Sequence, residues 1–135
     1  MDIKLYERIN SKKKRLDNFH PLSQHTLQSL RNSVFLEWTY HSNAIEGNTF
    51  CLKETKVVLE GITVGGKTLK EHFEVINHEQ AILYIEDIVD KKEPLTEWQI
   101  RNTHALILKN IDERNAGVYR KENVLISGAT HIPPD

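Results

Sequence analysis

Ser42 and Glu46 lie four residues apart at the end of a helix-patterned run, in the stretch HSNAIEGNTF from His41 to Phe50. In a helix that spacing sets the hydroxyl and the carboxylate on nearly the same face. Glu46 is the last side chain before Gly47, where a helix can stop in a left-handed turn. Aligned peptide dipoles leave partial negative charge at that end, so an exposed anion there is disfavoured by about 0.3–1 kcal/mol. A guanidinium arriving from a neighbouring element would offset this, because a charge-assisted hydrogen bond contributes more than the dipole removes. Phe35 and Thr39 fall on the same stripe, beside the apolar one of Trp38 and Ile45, so the carboxylate borders the face expected to be buried. The residues fit a plainer arrangement too: Glu46 turned to solvent and Ser42 bonded back to its own helix.

Other chemistry finds less support. Cys51, the sole cysteine, has no nucleophile motif around it and reads as a small buried or half-buried thiol. None of the seven histidines forms the i, i+4 pair of HExxH, and His72 and His78, six apart, share no helix face, so no metal site is expected. There is no glycine-rich phosphate loop after a strand and no GxSxG elbow.

These residues must be positioned by helices. Leu27, Leu30, Val34, Trp38 and Ile45 recur in helical steps, with Ser23 as N-cap and Gly47 as terminator, which predicts a helix over 23–46. A shorter one is expected from Leu52 to Glu60. After a turn at Gly65-Gly66, Thr68 and Glu71 make a capping box that opens a long pattern through Phe73, Ile76, Ile82, Leu83, Ile85 and Val89, closed near Lys91-Lys92 and Pro94. Thr96 and Gln99 repeat the box and start a helix carrying Ile100, Ile107 and Ile111. From Gly117 the pattern turns β-like around Val124, Leu125 and Ile126, with a turn at Ser127-Gly128-Ala129. The fold class expected is mainly α: a bundle of about four helices followed by a small β-hairpin.

The chain has 135 residues, enough for one domain. Its 18 basic and 19 acidic side chains give a net charge of −1, so no global field recruits membrane or nucleic acid. A single cysteine, and the lack of an apolar run or a signal-like N-terminus, fit a cytoplasmic setting. The segment 1–20 is locally basic, with Lys4, Arg8, Lys12, Lys13, Lys14 and Arg15 in twelve residues. It is expected to be a solvated face or a frayed helix. Pro133-Pro134-Asp135 reads as the start of a connection to another segment.

The pattern SNAIEGN, Ser42 to Asn48, resembles the inhibitory-helix motif of Fic (filamentation induced by cAMP) proteins, (Ser/Thr)-x-x-x-Glu-(Gly/Asn), with Ser42, Glu46 and Gly47 at its fixed positions. NTFCLKETKVVLEG (Asn48 to Gly61) looks like the segment that follows it. VINHEQAILYIEDIV (Val75 to Val89) resembles the family's Asn-His-x-x-Ala helix. AGVYRKENVLISGATHIPP (Ala116 to Pro134) resembles its Gly-x-Tyr-Arg turn and β-hairpin flap. The resemblance runs over about residues 20–135, in the family's order. The active-site motif His-Pro-Phe-x-(Asp/Glu)-Gly-Asn-Gly-Arg-x-x-Arg does not occur in the sequence, so no catalytic residue is assigned.

The resemblance implies the N-terminal region of an enzyme that transfers AMP from ATP to protein hydroxyls, with Mg²⁺ offsetting phosphate charge. In relatives whose inhibitory helix precedes the core, the motif glutamate pairs with the second arginine of the active-site motif and keeps it from the γ-phosphate. Glu46 matches that glutamate; Ser42 and Gly47 match the residues that hold the helix end. The family's organisation would then make about 23–47 the inhibitory helix, about 52–111 the scaffold, and about 117–134 the flap. Val124, Leu125, Ile126, Ser127, Gly128 and His131 would dock a target segment as an added strand, although the same residues fit a plain edge hairpin. The chain by itself is expected to be inactive and to hold neither ATP nor Mg²⁺ well. Its expected partners are a Fic catalytic core and a protein substrate, and exposed apolar surface where a core would dock implies association. Two alternatives stand: a helical module inhibiting a separate Fic core in trans, and a nucleic-acid-associated helical domain using the basic N-terminus.

Overall fold

The computed structural model describes residues 3–121, 123, 127 and 128. Five helices follow in order: α1 (Ile3–Asp17), α2 (Gln24–Ile45), α3 (Leu52–Leu59), α4 (Leu69–Asp90) and α5 (Glu97–Leu108). The fold is thus mainly helical, with no strand among the described residues. Most of the expected hairpin, including Val124, Leu125, Ile126 and His131, lies outside them. Among the described residues no helix is long and apolar enough to cross a membrane.

The chain divides into two units, Met1–Phe35 and Leu36–Asp135. In the first, α1 is a regular 15-residue helix with no buried residue, where a frayed segment was one of the expectations. Ser23 caps α2 as its sequence suggests: its Oγ accepts from the Thr26 N–H at 3.1 Å.

In the second unit α4 packs against both α3 and α5. Phe50, Val58 and Val75 form the core cluster, with Leu59, Val64 and Ile76 packed on it. The two capping boxes occur where expected: Thr68 accepts from the Glu71 N–H, and Thr96 from that of Gln99. Asn77, 2% exposed, donates to the carbonyls of Ile107 at 3.0 Å and Lys109 at 2.6 Å. It thereby satisfies carbonyls at the C-terminal end of α5 that have no partner within that helix.

The buried face of α2 differs from the expected one. Trp38 and Ile45 are 52% and 83% exposed, whereas Thr39 is fully buried and Asn43 nearly so. On α4 and α5, Leu83, Ile85, Val89 and Ile100 are likewise exposed, while Gln99 is buried. The inward positions go to polar side chains that tie one element to another, and the helices cannot cover all the apolar stripes they carry. No buried side-chain nitrogen or oxygen among the described residues lacks a hydrogen-bond partner. Burying amides and hydroxyls is tolerable only on that condition.

Candidate functional site

The α2 terminus is built by Gly47, whose φ of +92° suits a residue without Cβ. The Gly47 N–H donates to the Ala44 carbonyl at 3.1 Å, and the Asn48 N–H reaches back to the Asn43 carbonyl at 3.0 Å. This is a Schellman closure, and it leaves Glu46 as the C-cap residue, its side chain exposed. Among the described residues the Glu46 carboxylate has no hydrogen bond or ion pair, so the unfavourable dipole is not compensated within them. Ser42 makes no back-bond either; Asn43 does that, its Nδ2 donating to the Thr39 carbonyl at 2.9 Å.

Glu46 stands at an open cleft of about 420 Å³. Ser42, Asn43 and Glu46 line one side, Lys70, Glu74 and His78 of α4 another, and Ile107, Leu108 and Ile111 close it. Glu74, the other carboxylate there, is already engaged by Asn48 Nδ2 at 2.8 Å and Lys70 Nζ at 3.6 Å. The arrangement suits a cation arriving from outside, with apolar walls for its stem.

Two neighbouring residues of α4 fasten the elements that line this cleft. Asn77 fastens the end of α5, as described, and His78 fastens α2: its Nδ1 lies 3.1 Å from Thr39 Oγ1, and its ring meets Trp38 edge-on at 5.9 Å. Burial pushes the pKa of His78 below its ordinary value. Ala81, one turn on, is buried. The Asn-His-x-x-Ala signature thereby gains a physical content: two clamps and a small residue under them.

A second fastening follows Gly47. Asn48 Nδ2 donates to the Glu71 carbonyl at 3.0 Å, and its Oδ1 accepts from the Phe50 N–H at 3.0 Å. The Thr49 N–H donates to Glu71 Oε1 at 3.1 Å, and the Thr49 hydroxyl donates to the same oxygen. Lys67 Nζ completes the group, donating to the Thr49 carbonyl at 2.7 Å. The Thr49 hydroxyl, followed by the Thr68 N–H and hydroxyl, draws the Glu71 pKa down to about 2 from an ordinary 4.5. A depressed carboxyl pKa stabilises the folded state above its unfolded value, and that contribution fades as pH falls through the folded one. The Glu71 contribution to stability is therefore expected to be constant near neutrality and to be lost between about pH 4.5 and 2. Urea midpoints measured across that window should fall less steeply for Glu71→Gln; equal slopes would count against it.

The Gly-x-Tyr-Arg turn is anchored by α5. Gly117 has φ +70°, and a Cβ there would meet the Arg101 carbonyl at 3.1 Å and Ala105 Cβ at 3.2 Å, so only glycine fits. Arg101 Nε donates to the Gly117 carbonyl at 2.8 Å, and the Gly117 N–H donates to His104 Nδ1 at 3.2 Å. Of the expected flap residues, Ser127 and Gly128 are described and exposed, in a turn where Gly128 has φ +81°.

Ser42 and Glu46 are thus brought to one cleft edge, with Gly47 closing the helix beside them. The clamps Asn48, Thr49, Arg101 and His104 were not singled out from sequence, and His78 was weighed there as a metal ligand and within the Asn-His-x-x-Ala resemblance. Arg101 and His104 meet Gly117 from sixteen and thirteen positions away, a separation that leaves no local signal to read. No group of three His, Cys, Asp or Glu side chains that could hold a metal occurs among the described residues.

No protein-family model matches the chain. Its sequence is 32% identical to Protein adenylyltransferase Fic of Culex quinquefasciatus, over 99% of this chain and 27% of that protein. The protein of the same name from Drosophila melanogaster gives the same identity and coverage. The chain spans about a quarter of the length of the curated relatives it matches. Its fold is similar to a Fic-domain-containing signaling protein from Bacteroides thetaiotaomicron, with a TM-score of 0.79 and 31% identity, over 88% of this chain and 46% of that one. It is similar also to Fic-1 from C. elegans, with a TM-score of 0.69 and 28% identity, over 87% of this chain and 38% of that one.

Proposed function

We propose, for a chain that belongs to the Fic family in sequence and in fold, that residues 21–135 are the regulatory and target-docking region of a protein adenylyltransferase, and that Glu46 is its off-switch. The observation that carries this reading is the Glu46 carboxylate, without a partner among the described residues, at a helix C-terminus beside an open cleft. Such a placement is unfavourable unless a cation is supplied. An arginine of a Fic active-site motif is the cation the reading supplies, and holding it on Glu46 would keep it off the γ-phosphate of ATP. The Gly117 turn would root the flap that receives the target strand.

ATP and Mg²⁺ belong to the complete enzyme under this proposal. The described residues do not fit them: they offer neither a convergent donor set nor a phosphate-cradling glycine loop between strand and helix. No step is therefore routed through either on this chain. Its part is to bind a catalytic core, to withdraw a cation from it, and to present target backbone.

The test mixes the purified chain with a Fic catalytic core, ATP, Mg²⁺ and an acceptor protein. The chain should bind the core and slow AMP transfer, and by itself it should transfer nothing. Robust self-modification by the isolated chain would refute the division of labour, and a core indifferent to its addition would refute the inhibitory role.

A further inference from the structure

Averaged over the chain the charge is −1, which argues against a membrane partner. Locally the balance is different. α1 carries six cations, Lys4, Arg8, Lys12, Lys13, Lys14 and Arg15, against Glu7 and Asp17 alone. It is also amphipathic. At 3.6 residues per turn Leu5, Ile9 and Leu16 fall within an arc of about 40°. They are 45%, 54% and 57% exposed, and no residue of α1 is buried. Lys12 and Lys13 project on either side of that arc, while Glu7, Asn10, Ser11, Lys14 and Arg15 gather along a side that is polar apart from Ile3 at its first turn. Three features thus coincide: an apolar strip, lysines bordering it on both flanks, and a polar back.

We propose that α1 is an interfacial helix that lies on an anionic lipid surface. Leu5, Ile9 and Leu16 enter the boundary between headgroups and acyl chains, Lys12 and Lys13 extend along the strip to the phosphates, and the polar back stays in water. The charge selects the lipid: anionic headgroups attract each lysine and arginine near the surface, whereas neutral ones do not. A nucleic acid would use the same cations but has no need of the apolar strip, which is why lipid is the better match. The inference is independent of Glu46 and of the cleft.

The experiment sediments the full 135-residue chain with vesicles of mixed phosphatidylserine and phosphatidylcholine, or of phosphatidylcholine alone, at low and moderate salt. The chain should pellet with the anionic vesicles and stay in solution with the neutral ones, and salt should weaken the binding. Lys12→Glu with Lys13→Glu should reduce binding about tenfold or more, and Ile9→Asp with Leu16→Asp should release the chain. Because these side chains are exposed, circular dichroism should show the variants folded. Failure to pellet with anionic vesicles overturns the proposal. So does undiminished binding by the Ile9→Asp, Leu16→Asp variant. Complete displacement by a DNA duplex at matched phosphate would assign α1 to nucleic acid instead, and a lipid-independent dimer lost in the aspartate variant would assign it to a second copy.

Discussion

Glu46→Gly is expected to abolish the chain's inhibition of a Fic catalytic core while the chain still binds that core. The Glu46 side chain is exposed and bonded to nothing among the described residues, so its removal takes no support from the fold. It relieves an anion from the negative end of α2, a gain of about 0.3–1 kcal/mol that the extra backbone freedom of glycine offsets, so stability should change little. What is lost is the charge-assisted bond the carboxylate would make to an incoming guanidinium. Such bonds contribute about 1.5–3 kcal/mol, which corresponds to roughly ten- to a hundred-and-fifty-fold in inhibition. Binding is also spread over the walls of the cleft and the exposed apolar residues around it, so the chain should still bind the core, weakened by no more than that same factor. Glu46→Gln separates charge from shape: it should behave like the glycine variant in the transfer assay and still bind the core in calorimetry, weakened to the same extent as the glycine variant. Full inhibition by either variant would remove Glu46 from the mechanism.

How far the sequence reveals this site depends on what kind of signal each residue sends. Helix ends are written locally, since Ser23, Thr68, Thr96 and Gly47 act on amides within a few positions of themselves. The inward face of α2 is not. Periodicity marks Trp38 and Ile45, yet Thr39 and Asn43 are buried, because His78 supplies a bond to one and the Thr39 carbonyl supplies a bond to the other. A polar residue becomes a core residue when a partner meets it, and a partner 39 positions away leaves no period to read. Glu46 sits between these cases. Its unfavourable position can be read from helix electrostatics, while the arginine proposed as its counter-charge rests only on the family resemblance.

Asn48→Ala is expected to destabilise the second unit by about 2–4 kcal/mol and to weaken inhibition without removing any charge. Asn48 is only 9% exposed, and its amide makes three bonds: to the Glu71 carbonyl, to Glu74 Oε2, and from the Phe50 N–H. Truncation strands the Phe50 N–H next to the core and frees the turn that carries Glu46 two residues earlier. Urea unfolding should show a lower midpoint at an unchanged slope, and the inhibition assay a higher concentration for half effect. Asn48→Asp tests the origin of the effect. Its carboxylate can still accept from Phe50, but it faces Glu74 where an amide donated at 2.8 Å. The like charges raise the pKa of the pair in the folded state, so this variant should recover stability as pH falls through the raised pKa toward the ordinary carboxylate value, and lose it as pH rises above. A pH-independent deficit would mean that lost packing, not the donated bond to Glu74, is what holds the end of α2. If both variants match wild type in midpoint and in inhibition, the clamp has no part in presenting Glu46.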